Sequence, residues 1–102
     1  MQSSEKDLSA IAEKAELAAS FLKSLANPNR LMVLCHLLEG ELSVGELNQR
    51  VPLSQSALSQ HLLVLRDAEM VATRRESQVI YYSLKDERVK AILATLYDAF
   101  CA

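Results

Sequence analysis

The sequence has little of what punctuates β-rich and disordered chains: two glycines and two prolines in 102 residues. That excludes an all-β protein built on tight turns, and it excludes a linker-like disordered chain. Long apolar runs are missing as well. The longest, residues 31–38, includes His36 and falls far short of the roughly 20 residues that span a bilayer. Residues 1–10 are polar and hold no apolar signal-peptide core, so the expected location is cytoplasmic, with no membrane partner. The two cysteines are expected to be reduced there, which argues against a permanent structural disulfide. A surplus of basic charge is also absent: 11 Lys and Arg face 13 Asp and Glu, a net charge of -2. As a total, that argues against a nucleic-acid partner.

What is present is helical. Half the residues are hydrophobic, enough for one small core, and the length implies one domain, residues 1–102. A first helix is expected over residues 5–25, where Leu8, Ile11, Ala15, Ala18, Leu22 and Leu25 recur at steps of three and four. This narrow seam suits a dimer arm, or packing against its own domain, or both. Asn27 and Pro28 are a good N-cap and first-turn residue for a second helix over residues 28–39. Its run from Leu31 to Leu38 is apolar nearly all round and predicts a central, buried helix, with Gly40 as the stop.

Ser43 and Glu46 have capping-box spacing and predict a short helix over residues 44–50, which Val51-Pro52-Leu53 interrupts. Ser54 then caps a fourth helix over residues 55–68, with Leu58, Leu62 and Leu65 inward and Ser56, Ser59, Gln60 and Leu63 outward. Two helices joined by a short turn, the second polar at its front, describe a helix-turn-helix. Residues 71–75 and 79–84 read as strands around a tip at Glu76-Ser77-Gln78, which makes a wing. A last helix over residues 86–101 presents Val89, Ile92, Leu93, Leu96, Tyr97 and Phe100 on one face. The expected fold class is therefore mainly α with a small β-hairpin, a winged helix-turn-helix in the order ααααββα.

The charge total conceals its distribution. Residues 1–53 carry five basic and seven acidic side chains, whereas residues 47–66, the proposed helix-turn-helix, contain no acid at all. A phosphate backbone meets no like charge there. No Ser/His/Asp or Cys/His arrangement and no phosphate-cradling glycine loop is evident, so an enzyme is not expected.

Three stretches carry a resemblance: Leu25-Ala26-Asn27-Pro28-Asn29-Arg30-Leu31, Glu41-Leu42-Ser43-Val44-Gly45-Glu46-Leu47 and Leu53-Ser54-Gln55-Ser56-Ala57-Leu58-Ser59-Gln60-His61-Leu62. In this order, over nearly the whole chain, they resemble the winged-helix regulators of the ArsR/SmtB family. The resemblance implies a homodimer through the first and last helices, with the fourth helix in the major groove of a double-stranded DNA operator. One departure stands out. The family commonly has Gly-Leu-Val after the fourth helix, and this chain has Glu69-Met70-Val71. A left-handed glutamate costs about 1 kcal/mol or more, so a differently closed helix end is expected.

The candidate DNA-facing set is Ser54, Gln55, Ser56, Ser59, Gln60 and His61 at the front of the fourth helix, with Arg74, Arg75 and Gln78 on the wing. Glutamine reads adenine bidentately, serine reaches a base or a phosphate, and arginine meets phosphate or the minor groove. The alternatives are a solvated helix face, a local capping or packing role for His61, and edge charges guarding a strand for Arg74 and Arg75. Arg30 suits a structural ion pair as well as a DNA contact. Of Tyr81 and Tyr82, on opposite strand faces, at least one is expected in the core.

Family members that bind metal resemble one another in using either Glu-Leu-Cys-Val-Cys-Asp-Leu or Asp and His in the last helix. Here the two cysteine positions are Ser43 and Gly45, and residues 86–102 hold no histidine, so neither metal site nor any cofactor is expected. Cys35, His36 and Cys101 could form at most a partial site. By themselves, Cys35 reads as a small core residue and Cys101 as an idle one at a helix end. The resemblance to the family's two-cysteine branch instead implies a redox-sensing pair, Cys35 and Cys101, linked by a disulfide or polysulfide when reactive sulfur species or oxidants act as inducer. A metal-responsive repressor and a winged-helix protein-interaction module are the alternatives.

Overall fold

The computed structural model describes residues 8–101. Its elements are α1 (Leu8–Leu25), α2 (Pro28–Leu37), β1 (Leu42–Ser43), α3 (Val44–Arg50), α4 (Gln55–Asp67), β2 (Val71–Glu76), β3 (Val79–Leu84) and α5 (Glu87–Phe100). The expected first turn of the N-terminal helix, residues 5–7, lies outside the described residues. Five helices and an antiparallel hairpin match the expected class, and one element is added to it. The short strand β1 pairs antiparallel with β3, Leu42 opposite Tyr82 and Ser43 opposite Tyr81, so the sheet has three strands in the order β1-β3-β2. A strand this short shows no alternation in sequence, and Ser43 already reads there as a helix cap.

Local chemistry sets the helix starts. The Asn27 side chain accepts from the N–H groups of Asn29 and Arg30 at 2.9 and 3.1 Å, and Pro28 occupies the first turn, where its missing N–H is harmless. Ser43 accepts from the Glu46 N–H at 3.1 Å while Glu46 takes the Ser43 N–H at 2.8 Å, the reciprocal box expected from their spacing. Ser54 accepts from the Ala57 N–H at 3.1 Å, and Asp86 from the Arg88 N–H at 2.9 Å.

Two helix ends differ from expectation. Helix α2 stops at Leu37, because Leu38 and Glu39 form a turn into Gly40, which has φ 142°. Helix α4 closes in the way glutamate was expected to prevent: Glu69 is left-handed at φ 58°. Its N–H donates to the Arg66 carbonyl at 2.9 Å and the Met70 N–H to the Leu65 carbonyl at 3.0 Å, the paired bonds of a Schellman end. Met70, fully buried, anchors this closure in the core. The strain is held by burial of the next side chain.

The core lies where α2, α4, α5 and the sheet meet. Val33, Leu34 and Leu37 from α2, Leu58, Leu62 and Leu65 from α4, and Val89 and Leu93 from α5 surround Leu47, Met70 and Tyr82. Each such aliphatic side chain contributes about 1.5–3 kcal/mol by leaving water. Tyr82 is thus the core member of the tyrosine pair. Helix α2 is not buried all round, contrary to its sequence pattern: Cys35 and Leu38 are exposed and Leu31 half-buried.

Helix α1 projects from this core. Among its residues only Leu25 is buried, and Leu8 and Ile11 of the seam are 80% and 57% exposed. The radius of gyration, 15.6 Å, exceeds the roughly 13 Å of a compact 100-residue domain. Burial of Leu25 and side-chain contacts from α2 and α5 tie the C-terminal half of α1 down. Arg88 of α5 lies 4.6 Å over the Phe21 ring, and Arg30 of α2 donates to the Ser24 carbonyl at 2.7 Å. Among the described residues no helix is long and apolar enough to cross a membrane.

Candidate nucleic-acid interface and dithiol groove

Helices α3 and α4 are joined by a braced turn. Val51 is buried, and the Asn48 side-chain amide donates to the Leu53 carbonyl at 2.9 Å. Sequence reasoning missed Asn48, because an amide that closes a turn looks like any polar helix residue. The turn aims α4 so that Leu58, Leu62 and Leu65 face the core while Ser54, Gln55, Ser56, Ser59 and Gln60 are exposed along the other side. Ser54 is engaged in the cap and lies 3.3 Å from the Ser56 hydroxyl. His61 is half-buried and departs from this set: its Nδ1 accepts from the Arg30 guanidinium at 3.3 Å. Arg30 thereby has the structural role, joining α1, α2 and α4.

On the wing the two arginines have different surroundings. Arg74 makes a two-pronged ion pair with Glu41, 2.8 Å from Nε and 2.8 Å from a terminal nitrogen. It also reaches Glu76 at 3.4 Å and lies 4.5 Å over the Tyr81 ring. The Arg74 hydrogen bonds hold the Glu41 carboxyl below the usual carboxylate range, and Glu41 in turn raises the guanidinium. Arg74 thus tethers the wing to the segment before β1 through a partly exposed, two-pronged pair. Glu41 was not singled out in the sequence. Arg75, on the opposite face of β2 across from Ile80, is exposed. Gln78 follows Ser77 (φ 60°) in the two-residue hairpin loop. Gln78 and Gln55 line one groove with Asn48 and Ser43 and with the apolar Val44, Val79 and Ile80, so the wing tip and the front of α4 share one depression.

The thiols lie on the other side of the fold. Cys35 is exposed on α2, and Cys101 is exposed at the C-cap of α5, where its N–H donates to the Tyr97 carbonyl at 2.8 Å. Both are free thiols, and both line one groove of about 620 Å³ between α2 and α5. Burial pushes the Cys35 thiol up, and the nearby Cys101 adds to that shift. The raised pKa lowers the thiolate fraction of Cys35, the reverse of what activates a sensing thiol. Among the described residues no group of three or more His, Cys, Asp and Glu converges as a metal site.

A core of three helices, a braced helix-turn-helix and a three-stranded wing define a winged helix-turn-helix protein. The family model described as "Bacterial regulatory protein, arsR family" matches residues 27–73. The transcriptional activator HlyU of Vibrio cholerae is 51% identical over 84 residues, 82% of this chain and 78% of that protein. The biofilm growth-associated repressor of Agrobacterium fabrum is 45% identical over 95 residues, 93% of this chain and 81% of that one. The solved structure of reduced HlyU from Vibrio cholerae superimposes with a TM-score of 0.86 at 46% identity, covering 93% of this chain and 100% of that one. The chain belongs to the arsR family of bacterial regulatory proteins. It is a transcriptional regulator and not an enzyme.

Proposed function

We propose that this chain is a dithiol-switched, DNA-binding transcriptional regulator. The reduced homodimer binds a double-stranded DNA operator through Gln55, Ser56, Ser59 and Gln60 of α4, with Arg75 and Gln78 of the wing at the flanking phosphates or minor groove. Ser54 and His61 shape α4, and Arg74 positions the wing. Reactive sulfur species or oxidants link Cys35 to Cys101 and lower DNA affinity.

One observation carries the reading: Cys35 and Cys101 are exposed in the same groove, one on α2 and one at the end of α5. The chemistry balances. A thiolate attacks the outer sulfur of a persulfide, becomes a persulfide itself and releases the donor's thiol. The second thiol then displaces hydrogen sulfide and leaves a disulfide. The link staples α5 to α2. Helix α5 also carries Tyr97 and Phe100, 62% and 82% exposed, which with the open seam of α1 supply the apolar surface for a dimer. A changed dimer alters the spacing of the two α4 helices, which must match half-sites about one DNA turn apart. Because the two relatives are named activator and repressor, the proposal concerns DNA affinity and not the sign of the transcriptional effect.

The test is a gel-shift titration beside intact-mass spectrometry. Reduced protein should bind a cognate duplex, and loss of binding should accompany formation of one intramolecular link per chain. Cys35→Ser should bind DNA and ignore the inducer. A variant that still responds normally overturns the mechanism.

A further inference from the structure

Leu63 is an apolar residue on a polar surface. It is 55% exposed, and it belongs neither to the core nor to the partly buried residues packed against it. At 3.6 residues per turn, Ser56, Ser59, Gln60 and Leu63 fall within about 100° of one another on α4, opposite the buried Leu58, Leu62 and Leu65. Leu63 stands one turn beyond Ser59 and Gln60, about 4.5–6 Å further along the axis. Successive base pairs are about 3.4 Å apart. A helix whose Gln60 meets one base pair therefore brings Leu63 to the next one or two. Asp67 lies one turn further on the same side and is acidic and exposed, so a phosphate-lined groove favours contact as far as Leu63 and not beyond it.

Size and surroundings identify the occupant. A protein partner needs a patch, since stable interfaces bury about 800 Å² on each side. On this side of α4 the neighbours of Leu63 are serine, glutamine and aspartate, and the next exposed apolar residue, Val64, is turned about 100° away. The 5-methyl group of thymine is a single apolar feature of the major groove, and apolar side chains are what meets it there. Water covers both groups in the free molecules, and their contact releases it.

We propose that Leu63 is a specificity-determining residue that reads a thymine methyl group in the major groove, one or two base pairs beyond the base that Gln60 meets. The proposal rests on the DNA-binding role of α4 and adds to it a preference for thymine over cytosine at that step. Cytosine lacks the methyl and presents an amino donor in the major groove, which a leucine leaves without an acceptor.

The experiment separates the methyl from every other group on the base. A duplex is selected from a random-sequence pool with the full reduced chain. Each thymine in turn is then replaced by deoxyuridine, which keeps the base pair and lacks the methyl, and affinities are measured by fluorescence anisotropy. For the parent chain, one thymine in each half-site should cost about fourfold on replacement, the equivalent of one buried methylene, and both together about tenfold. Leu63→Ala changes an exposed residue to the best helix former, so it should fold as the parent does. It should lose about fivefold in affinity for the thymine duplex and less than about twofold more on deoxyuridine replacement. Its slope of log affinity against log salt should match the parent's, because no phosphate contact is removed.

Equal deoxyuridine penalties in parent and variant overturn the assignment to Leu63 and leave the DNA-binding role of α4 standing. So does a variant that binds the thymine duplex as tightly as the parent. A changed oligomeric state of the variant in sedimentation, with unchanged penalties, gives Leu63 to a contact between copies and overturns the proposal in the same way. Failure of the reduced chain to select any duplex overturns both.

Discussion

The Arg30 guanidinium on α2 donates to Nδ1 of His61 on α4 across 3.3 Å, while its Nε donates to the Ser24 carbonyl at the end of α1 across 2.7 Å. One side chain thus joins the projecting helix, the central helix and the second helix of the helix-turn-helix. Both residues are half-buried, and His61 meets Arg30 instead of joining the outward polar face of α4. The junction lies between the proposed dimer surface and the proposed DNA surface.

Arg30→Met retains the aliphatic bulk and removes these donors. The expected cost is about 1 kcal/mol, because the carbonyl and the ring nitrogen are near enough to the surface to recover water. Thermal unfolding should fall by roughly 4–8 °C. DNA affinity, measured well below that midpoint, should fall as well, since α4 loses its brace. An unchanged midpoint would mean that the contact contributes nothing to the fold.

The two wing arginines separate by experiment. Arg75→Ala should lower the slope of log affinity against log salt by about one unit, the signature of one lost phosphate contact. Arg74→Ala should leave that slope nearly unchanged and loosen the wing instead, as Glu41→Gln should. The tether has a defined pH dependence. The Glu41 carboxyl is depressed in the folded state, so its contribution is fully present above its unfolded pKa and is lost as pH falls through the folded one. The tether should hold at neutral pH and weaken as pH falls through a folded-state pKa that lies below that of a free glutamate. An NMR titration of the Glu41 carboxyl, read beside the Arg74 Nε proton, checks this. A carboxyl that titrates at or above its usual range overturns the tether.

Cys35 should alkylate with a pH midpoint above that of a free thiol, because burial disfavours its thiolate and a Cys101 thiolate disfavours it further. Cys101→Ser should lower the midpoint only in part, since burial is the larger cause. Iodoacetamide labelling across pH, quantified at Cys35 by mass spectrometry, gives the two curves. Coincident curves would separate the thiols electrostatically and weaken the case for a link between them.

What the sequence made legible was local. Asn27, Ser43 and Ser54 find their partners within three residues, so each cap was readable before any fold was known. The inward set of α4 followed from helical spacing alone. The long-range partners were not readable. Arg74 meets Glu41 across 33 positions and Arg30 meets His61 across 31, and nothing in the spacing of either pair distinguishes a tether from a free charge. The all-round apolar pattern of α2 misled for a related reason. An open groove and a core both select leucine, and only packing tells that Cys35 and Leu38 face outward. The open seam of α1 has the same ambiguity, since a helix meant for a second copy carries the same periodicity as one meant for its own core.

Glu69 offers the sharpest test of local strain. Its left-handed backbone costs about 1–2 kcal/mol relative to a right-handed one. Against that, Glu69 pairs with Lys85 at 3.1 Å, but both side chains are more than half exposed, and such pairs contribute about 0–1 kcal/mol. Glu69→Gly removes the strain and the ion pair together, and it adds about 0.4–1 kcal/mol of freedom to the unfolded chain. The terms nearly balance, so the change in midpoint for glycine alone decides little. The order within a series decides more. Asparagine tolerates the left-handed region better than most residues, and alanine keeps the strain while losing the ion pair. The expected order of thermal midpoints is Gly above Asn above Ala at position 69, with Ala below the parent. Met70→Ala should exceed all of them in cost, at about 2–5 kcal/mol, because it empties the buried pocket that holds the closure in place. Alanine at position 69 melting above glycine would mean that the helix end does not bear the strain its backbone angle implies.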